Sequence, residues 1–322
     1  MVIISSLLLA TGLGLTHAIP TSGSTNTGGT FVPSIKYLDT TSIQADINTE
    51  AIIPRPEIIQ LTPDELDAWT ANASSTADPP TSSPTKEKRG VIGTDERHYQ
   101  SSGDFPYGSM GRVTIYVNNQ PAALCSGTLV GPRLMAAARH CIISNASGFK
   151  FSPGYQSGDR FPTAFATQVV SLTKNDSLGV CDLMNDWALF VLDQPLGVQR
   201  GYLWIGDYAA DESFVAGQPI LYNAGYPGDR DNAEKLYMSD SRTSNRPYKS
   251  QCANGGPIIA DCDVAAGMSG GPLWRRKDND RWTYGNLFGA FFDNNGNELS
   301  SIHSHGPSFI KSVHQLNDQH PN

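Results

Sequence analysis

The sequence predicts an all-β fold of short strands, with one convincing helix at its C-terminal end. The 322 residues include 31 glycines and 21 prolines, which favours turns and short strands over long helices. Residues 113–117 alternate apolar and polar side chains, as residues 219–223 do less cleanly, and Gly, Asn and Pro clusters separate such runs. From Pro307 to about Leu316, apolar side chains fall on one helical face.

Composition and charge exclude several classes of protein. Hydrophobic residues make up 39% of the chain, enough to fill a core and to exclude wholesale disorder. The balance of 23 basic and 31 acidic residues leaves a net charge of −8. An acidic chain lacks the electrostatic footprint of a nucleic-acid-binding protein, so we expect no nucleic-acid partner.

Residues 1–18 predict a secretory signal peptide. A run of about 14 apolar or small residues precedes Thr16-His17-Ala18, which places small residues three and one before the expected cleavage point. The alternative is a membrane anchor, but a helical span needs roughly 20 apolar residues. We therefore expect no membrane association and a secreted, extracellular protein in which disulfides form.

Residues 19–89 predict a propeptide. This stretch is rich in Thr, Ser and Pro, contains no cysteine, and ends at the dibasic pair Lys88-Arg89. Only residues 51–70 carry enough apolar side chains to dock, and Thr62-Pro63 followed by two acids indicates a helix start. Cleavage after Arg89 would begin the mature chain at Gly90, or at Val91 after trimming. The alternative is a chance basic pair in a solvated linker.

Three short segments carry the chemistry, in the order His, Asp, Ser. Ser269 lies among glycines, and Gly267 can adopt backbone dihedrals closed to other residues, so the Gly267 and Ser269 amides can stabilise an oxyanion. A serine hydroxyl needs a base, for which the imidazole of His140 is suited. Asp186 precedes the apolar run WALFVL, where a partly buried carboxylate can orient the imidazole.

Residues 90–322 resemble a serine protease of the trypsin/chymotrypsin fold. The resemblance rests on the Cys125…His140-Cys141 spacing, on the Asn-Asp entry to the strand after Asp186, and on Gly267-Met-Ser-Gly-Gly-Pro. It implies two six-stranded antiparallel β-barrels, about 90–206 and 207–322, with a C-terminal α-helix and the active site between them. It also implies a monomer without a cofactor that acts on protein or peptide substrates and has its own propeptide as a partner.

Within this fold the chain resembles most the secreted glutamyl endopeptidase branch, through residues 91–97, 105–107, 224–227 and 261–263. Two positions depart from the family pattern: Arg139 stands where a small residue is usual, and Met268 stands before the nucleophile. Candidate specificity residues conflict as well. Asp263 matches a position that binds basic residues in trypsin-like enzymes, or else belongs to a structural turn. Val264 and Phe291 replace the polar residues of the glutamyl branch and suit an apolar pocket.

The resemblance implies a Cys125–Cys141 disulfide and leaves three cysteines. We favour Cys252–Cys262 with Cys181 left over, while Cys181–Cys262 and Cys181–Cys252 remain open. Asn145 and Asn175 begin glycosylation acceptor sequences. His303 and His305 lack Cys or acidic partners at ligand spacing, so we expect no metal site.

These features predict a secreted serine endopeptidase made as a zymogen. One alternative is a non-enzymatic relative that uses the scaffold for binding, which Arg139 and Met268 motivate. The other is an α/β-hydrolase esterase, because Gly267-Met-Ser-Gly-Gly271 also fits its nucleophile motif. That fold requires an Asp and a His after the serine, for which the short remaining chain leaves little room.

Overall fold

The computed structural model describes residues 34–37, 41–42, 53–71, 94–173, 179–208, 211, 221–241, 244–245, 252, 256–292 and 298–321. The predicted signal peptide, the processing site Arg89, the mature start and the acceptor Asn175 lie outside these residues. No helix in the described ranges has the length and apolar character needed to cross a bilayer.

An N-terminal segment, defined here as the described residues between Ser34 and Ala71, precedes the barrels. Its elements are β1 (Ser34–Tyr37), β2 (Thr41–Ser42), β3 (Glu57–Leu61) and α1 (Pro63–Thr70). The predicted helix start is confirmed. Thr62 caps α1 by accepting a hydrogen bond from the backbone N–H of Glu65, whose carboxylate accepts one from the backbone N–H of Thr62.

The first barrel is a closed antiparallel sheet of six strands in the order β10-β7-β6-β5-β8-β9, because β9 pairs again with β10. Its interior is packed with apolar side chains, among them Val113, Phe149 and Phe190. The predicted alternating run at 113–117 lies in β5, and the run WALFVL is a fully buried strand, as expected. The strands are β5 (Met110–Val117), β6 (Gln120–Leu129), β7 (Leu134–Ala138), β8 (Gly148–Pro153), β9 (Ala164–Leu172) and β10 (Trp187–Leu192).

The second barrel is open in the described residues, so the expectation of two closed six-stranded barrels is wrong for this half. Its antiparallel path runs β14-β15-β18-β17-β16-β12-β13. β13 ends at Ser241 and β14 begins at Ser244, so the break lies where the chain passes from one end of this path to the other. The strands are β12 (Leu221–Gly225), β13 (Tyr237–Ser241), β14 (Ser244–Asn245), β15 (Ile258–Ala260), β16 (Pro272–Lys277), β17 (Asp280–Phe292) and β18 (Glu298–Ser304).

The remaining elements join the barrels. The strand β4 (His98–Tyr99) pairs with β13, and β11 (Trp204–Ile205) pairs with β17. A short helix α2 (Leu196–Arg200) precedes β11. The predicted C-terminal helix is confirmed as α3 (Pro307–Gln319), three residues longer than expected.

Two layers of apolar side chains flank the wall formed by β7 and β10. On the outer side of this wall, Trp187 packs with Phe309 and Val313 of α3 and with Leu66 of α1. Leu66 is 1% exposed, so the N-terminal segment supplies part of this packed layer. Burying a leucine side chain contributes about 2 kcal/mol. α1 therefore belongs to the packed structure of the uncleaved chain.

Candidate active site

The register of the first barrel brings His140 and Asp186 together. β7 and β10 are antiparallel neighbours with Ala138 opposite Trp187, so the residues just after β7 and just before β10 share one end of the barrel. The backbone N–H of Arg139 donates to the Asp186 carbonyl at 2.9 Å, which continues the ladder past the strand ends. Two side chains distant in sequence thus meet through ordinary strand pairing.

Asp186 is 1% exposed and accepts several hydrogen bonds. His140 donates to it twice, from Nδ1 to Oδ2 at 2.6 Å and from the backbone N–H to Oδ1 at 3.2 Å. An ionised carboxylate has only acceptors, so the proton on this imidazole edge is on Nδ1. This leaves Nε2 as the basic nitrogen.

Arg139 contacts the other oxygen of the same carboxylate, Oδ1, while the imidazole contacts Oδ2. Its side chain is buried, Nε is 3.5 Å from Asp186 Oδ1, and an Nη1 hydrogen bond of 3.0 Å reaches the Thr173 carbonyl. The unusual residue before His140 therefore supplies a counter-charge for a buried acid. Sequence reasoning treated Arg139 as a reason to doubt activity and missed this pairing, for which the sequence carries no signal.

Ser269 lies in a glycine loop that presses against the first barrel. Gly267 and Gly270 have φ of +91° and +82°, a region open to glycine and costly for other residues. Ser269 is fully buried, and its carbonyl accepts a hydrogen bond from the Ser126 N–H at 2.8 Å. A Cβ at Gly270 would lie 2.7 Å from the Ala138 backbone nitrogen. The nucleophile loop thus lies directly on the segment that leads to His140.

Ser126 is a site residue that the sequence reasoning missed. Its hydroxyl donates to the Gly267 carbonyl at 2.8 Å and accepts from the Tyr226 N–H at 2.9 Å. Its own backbone N–H donates to the Ser269 carbonyl. Ser126 of β6 therefore holds two loops of the second barrel, one at Gly267–Ser269 and one at Tyr226. The only sequence signal was its position directly after Cys125.

A further contact places the second barrel beside His140. The Phe288 ring of β17 packs edge-on to the imidazole, with ring centroids 5.8 Å apart. The neighbouring Leu287 accepts a backbone hydrogen bond from Gly270 and donates one to Gly271, each at 2.8 Å. β17 therefore borders both the imidazole and the serine loop.

The disulfides confirm one expectation and correct another. Cys125–Cys141 is present and pins the loop that carries His140 to β6. The favoured Cys252–Cys262 pair is wrong, because Cys252 is bonded to Cys181 and Cys262 is a buried thiol. Cys181 lies in the 3-10 turn Val180–Asn185 that leads into Asp186. This disulfide therefore ties the approach to Asp186 to the second barrel.

The three candidate specificity residues lie in different surroundings. Val264 packs in the core of the second barrel, whereas Phe291 belongs to a cluster with Leu183 and Phe288. Asp263 accepts a hydrogen bond of 2.5 Å from the backbone N–H of Glu96, and burial raises the pKa of its carboxyl. Asp263 therefore contacts the stretch that follows the predicted mature start.

The predicted glycan acceptor and the two histidines considered for a metal site are also among the described residues. Asn145 is exposed, as a glycan acceptor must be. His303 and His305 are both buried, the first bonded to Ser301 Oγ and the second to the Gly256 carbonyl. Within the described residues no group of His, Cys, Asp or Glu has the arrangement of a metal site.

Comparisons with known proteins agree with this geometry. A glutamyl endopeptidase of Bacillus licheniformis is 25% identical over 195 residues, which cover 59% of this chain and 56% of that protein. This chain thus spans little more than half the length of that relative.

Two solved structures share the fold. Protease Anisep from Arthrobacter nicotinovorans matches with a TM-score of 0.53 at 20% identity, over 68% of this chain and 98% of that one. A Glu endopeptidase in complex with MPD matches with a TM-score of 0.55 at 19% identity, over 72% and 100%. At such identities the likeness shows the fold alone.

The family described as Trypsin matches residues 98–308. This stretch is more than half of the chain and includes His140, Asp186 and Ser269. It consists of antiparallel barrels, which argues against the α/β-hydrolase alternative. The chain therefore belongs to the trypsin family of serine proteases.

Proposed function

We propose that this protein is a secreted serine endopeptidase made as a zymogen and that Ser269, His140 and Asp186 form its catalytic triad. The observation that carries the proposal is the contact of His140 with the buried Asp186, joined at 2.6 Å, at the junction where the glycine loop of Ser269 meets the first barrel. The family membership supports peptide-bond hydrolysis as the reaction.

In the proposed mechanism, the Ser269 hydroxyl oxygen attacks the carbonyl carbon of the scissile peptide bond while His140 Nε2 takes its proton. Asp186 stabilises the imidazolium that forms, because its Oδ2 already accepts the Nδ1 proton. His140 then gives the proton to the leaving amine and an acyl-enzyme remains. Water attacks this ester with His140 again acting as base, which releases the acid and restores Ser269.

The amides of Gly267 and Ser269 are proposed to hold the oxyanion of each tetrahedral intermediate. The loop around them is fixed by other hydrogen bonds: the N–H groups of Met268, Gly270 and Gly271 donate to backbone carbonyls within or beside the loop. A preorganised loop of this kind stabilises charge that develops only in the transition state.

The remaining assignments follow from the sequence. Residues 1–18 direct export, residues 19–89 are the propeptide, and residues 90–322 are the protease domain, divided near residue 207. Cleavage after Arg89 produces the mature enzyme, which carries glycans at Asn145 and Asn175 in a eukaryotic host and works without a cofactor. The two disulfides support an oxidising, extracellular location.

For specificity we propose an apolar preference before the scissile bond, because Val264 and Phe291 stand where the glutamyl branch that the chain resembles has polar residues. Asp263 is already engaged by the Glu96 N–H, which argues against a basic residue there. A peptide library digested with the purified enzyme tests this preference. Cleavage after apolar residues is expected, whereas cleavage after glutamate, the residue that gives the Bacillus licheniformis relative its name, would contradict it.

The test of the enzymatic function is covalent labelling by a serine-directed fluorophosphonate on protein collected from the culture medium. We expect the processed chain to be labelled and the Ser269→Ala variant to stay unlabelled. A processed wild-type chain that stays unlabelled would instead favour the non-enzymatic binding protein. Equal labelling of both chains would place the reactive serine elsewhere.

A further inference from the structure

The two short strands β1 and β2 of the N-terminal segment lie on two different sheet edges. β1 pairs antiparallel with β17, from Ser34 opposite Phe292 to Tyr37 opposite Gly289. β2 pairs antiparallel with β6, with Thr41 opposite Leu124 and Ser42 opposite Ala123. Only three residues of the chain join Tyr37 to Thr41, so one short segment connects the second barrel to the first.

The edge of β17 used by β1 begins beside the candidate nucleophile. β18 occupies one edge of β17 from Asn286 onward, while β16 pairs with the other edge only as far as Asn286. A strand has two edges, so β1 covers the one that β16 has left. Gly289, where β1 ends, directly follows Phe288, whose ring contacts His140.

The edge of β6 used by β2 lies on the other side of the same site. β5 pairs with one edge of β6 along Ala123 and Leu124, so β2 must use the opposite edge. Leu124 is followed by Cys125, the disulfide partner of Cys141, and then by Ser126, whose N–H holds the Ser269 carbonyl. Ser269 therefore lies between the two edges.

The direction of the chain is the same on both sides. Along β1 it runs toward the site, because the last residue Tyr37 is opposite Gly289, the paired residue nearest Phe288. Along β2 it runs away from the site, because the first residue Thr41 is opposite Leu124, the paired residue nearest Ser126. Four residue steps span at most about 14 Å, so the two strand ends that face the site, Tyr37 and Thr41, lie no farther apart than that.

We propose that the N-terminal segment inhibits the uncleaved chain by occupying, through β1 and β2, the two strand edges that receive a polypeptide substrate on either side of Ser269. This inference rests on the proposed function, because it treats Ser269 as the reacting group. The recognised ligand is an extended peptide backbone that adds a strand to each barrel, with its bonds made mainly by main-chain groups. Residues before the scissile bond lie on β17 and residues after it lie on β6.

The test uses the full-length chain with Lys88→Gln and Arg89→Gln, which blocks cleavage at the dibasic pair. Ile35→Pro with Lys36→Pro removes two adjacent backbone N–H groups of β1. Adjacent N–H groups of a strand point to opposite edges, so one of the two must face β17 and its hydrogen bond is lost. The matched control, Ile35→Ala with Lys36→Ala, changes the same side chains and keeps both N–H groups. A chain lacking residues 34–42 is a second variant in case the double proline variant misfolds.

Hydrogen exchange reports docking independently of catalysis. We expect the proline pair or the deletion to speed exchange at least tenfold at those N–H groups of Gly289–Phe292 and of Ala123 and Leu124 that face β1 and β2, while the alanine pair leaves it within threefold. Unchanged protection of both edges in the deletion chain would overturn the docking. If the deletion chain lost protection at β17 alone, the proposal that one segment occupies both edges would be wrong.

Hydrolysis of a chromogenic peptide then reports inhibition. We expect the uncut proline variant to turn over at least tenfold faster than the uncut alanine control. If exchange at both edges rises while hydrolysis does not, the inhibitory role is wrong. If the processed wild-type protein is itself inactive, the proposed function has failed, and the exchange result still decides whether the edges are occupied.

Discussion

The two barrels hold their parts of the candidate site by different means. The first barrel closes on itself, and its ladder places His140 and Asp186 at the ends of paired strands. The second barrel is open in the described residues and presents Ser269 on a glycine loop held by Ser126 of the first barrel. The positions of His140 and Asp186 therefore depend on local strand register, whereas the position of Ser269 depends on how the two barrels fit together.

The largest effect should come from the nucleophile itself. Ser269→Ala is expected to lower kcat by about 10⁴–10⁶-fold with little loss of stability, because it removes the attacking oxygen and leaves the loop glycines in place. Single-turnover hydrolysis of a peptide ester measures the loss, and urea unfolding checks the fold. A residual rate within tenfold of the wild type would contradict the assignment of Ser269.

The disulfides separate local from inter-barrel stabilisation. Cys181–Cys252 closes a loop of 71 residues and Cys125–Cys141 one of 16. On the chain-entropy model their removal costs about 4.4 and about 3.1 kcal/mol respectively. Urea unfolding of the two double Cys→Ser variants should therefore show the larger loss for the bond that joins the barrels. The reverse order would mean that the barrels are held together chiefly by their packing.

Gly270 tests the contact between the loop and the first barrel. A Cβ at Gly270 would lie 2.4 Å from the Ser126 carbonyl oxygen, whereas one at Gly158, also at positive φ, would meet nothing within 4 Å. We expect Gly158→Ala to cost about 1–2 kcal/mol from backbone strain alone, and Gly270→Ala to cost about 2 kcal/mol more. Chemical unfolding measures both losses of stability. Equal losses would show that the loop moves to make room for the Cβ at no cost in free energy.

The last prediction concerns the acid sensitivity of the second barrel. Burial lowers the pKa of His303 to about 3. Below about pH 6.5 this side chain therefore binds a proton in the unfolded chain but stays neutral in the folded chain. Stability conferred by neutral His303 is therefore lost as the pH falls from about 6.5 toward 3, by up to about 1.4 kcal/mol per pH unit. Unfolding curves of His303→Gln should show a shallower slope in this range. An unchanged slope would assign the acid sensitivity to other groups.

What the sequence could predict was decided by local signals. The cap at Thr62, the buried strand after Asp186 and the final helix each depend on short motifs, and the structure has all of them. The Cys125–Cys141 bond was implied by the family resemblance and is also present. The Cys181–Cys252 bond joins residues 71 positions apart in different barrels. No local spacing indicates such a pair, and the nearer Cys262 was the more attractive partner for Cys252.

The N-terminal segment shows the same limit. Its helix was predicted from capping residues. β1 and β2 form because two sheet edges accept them, and at four and two residues they are too short for their sequence pattern to indicate strands. The partners of Arg139 were likewise invisible, since a buried ion pair with Asp186 depends on the barrel register. The open second barrel also departs from the expected pair of closed barrels.

The pairing of β1 and β2 also has a consequence for how the protein responds to dilution. While the chain is intact, the segment meets its edges at an effective concentration in the millimolar range, set by the connecting chain. If the chain is cut at Arg89 as proposed, the same contacts become a bimolecular association, governed by the concentration of the released peptide. A micromolar dissociation constant would then keep the enzyme blocked where the protein is concentrated and free it on dilution. Cleavage alone would then leave the enzyme inhibited, and dilution would release the inhibitory peptide.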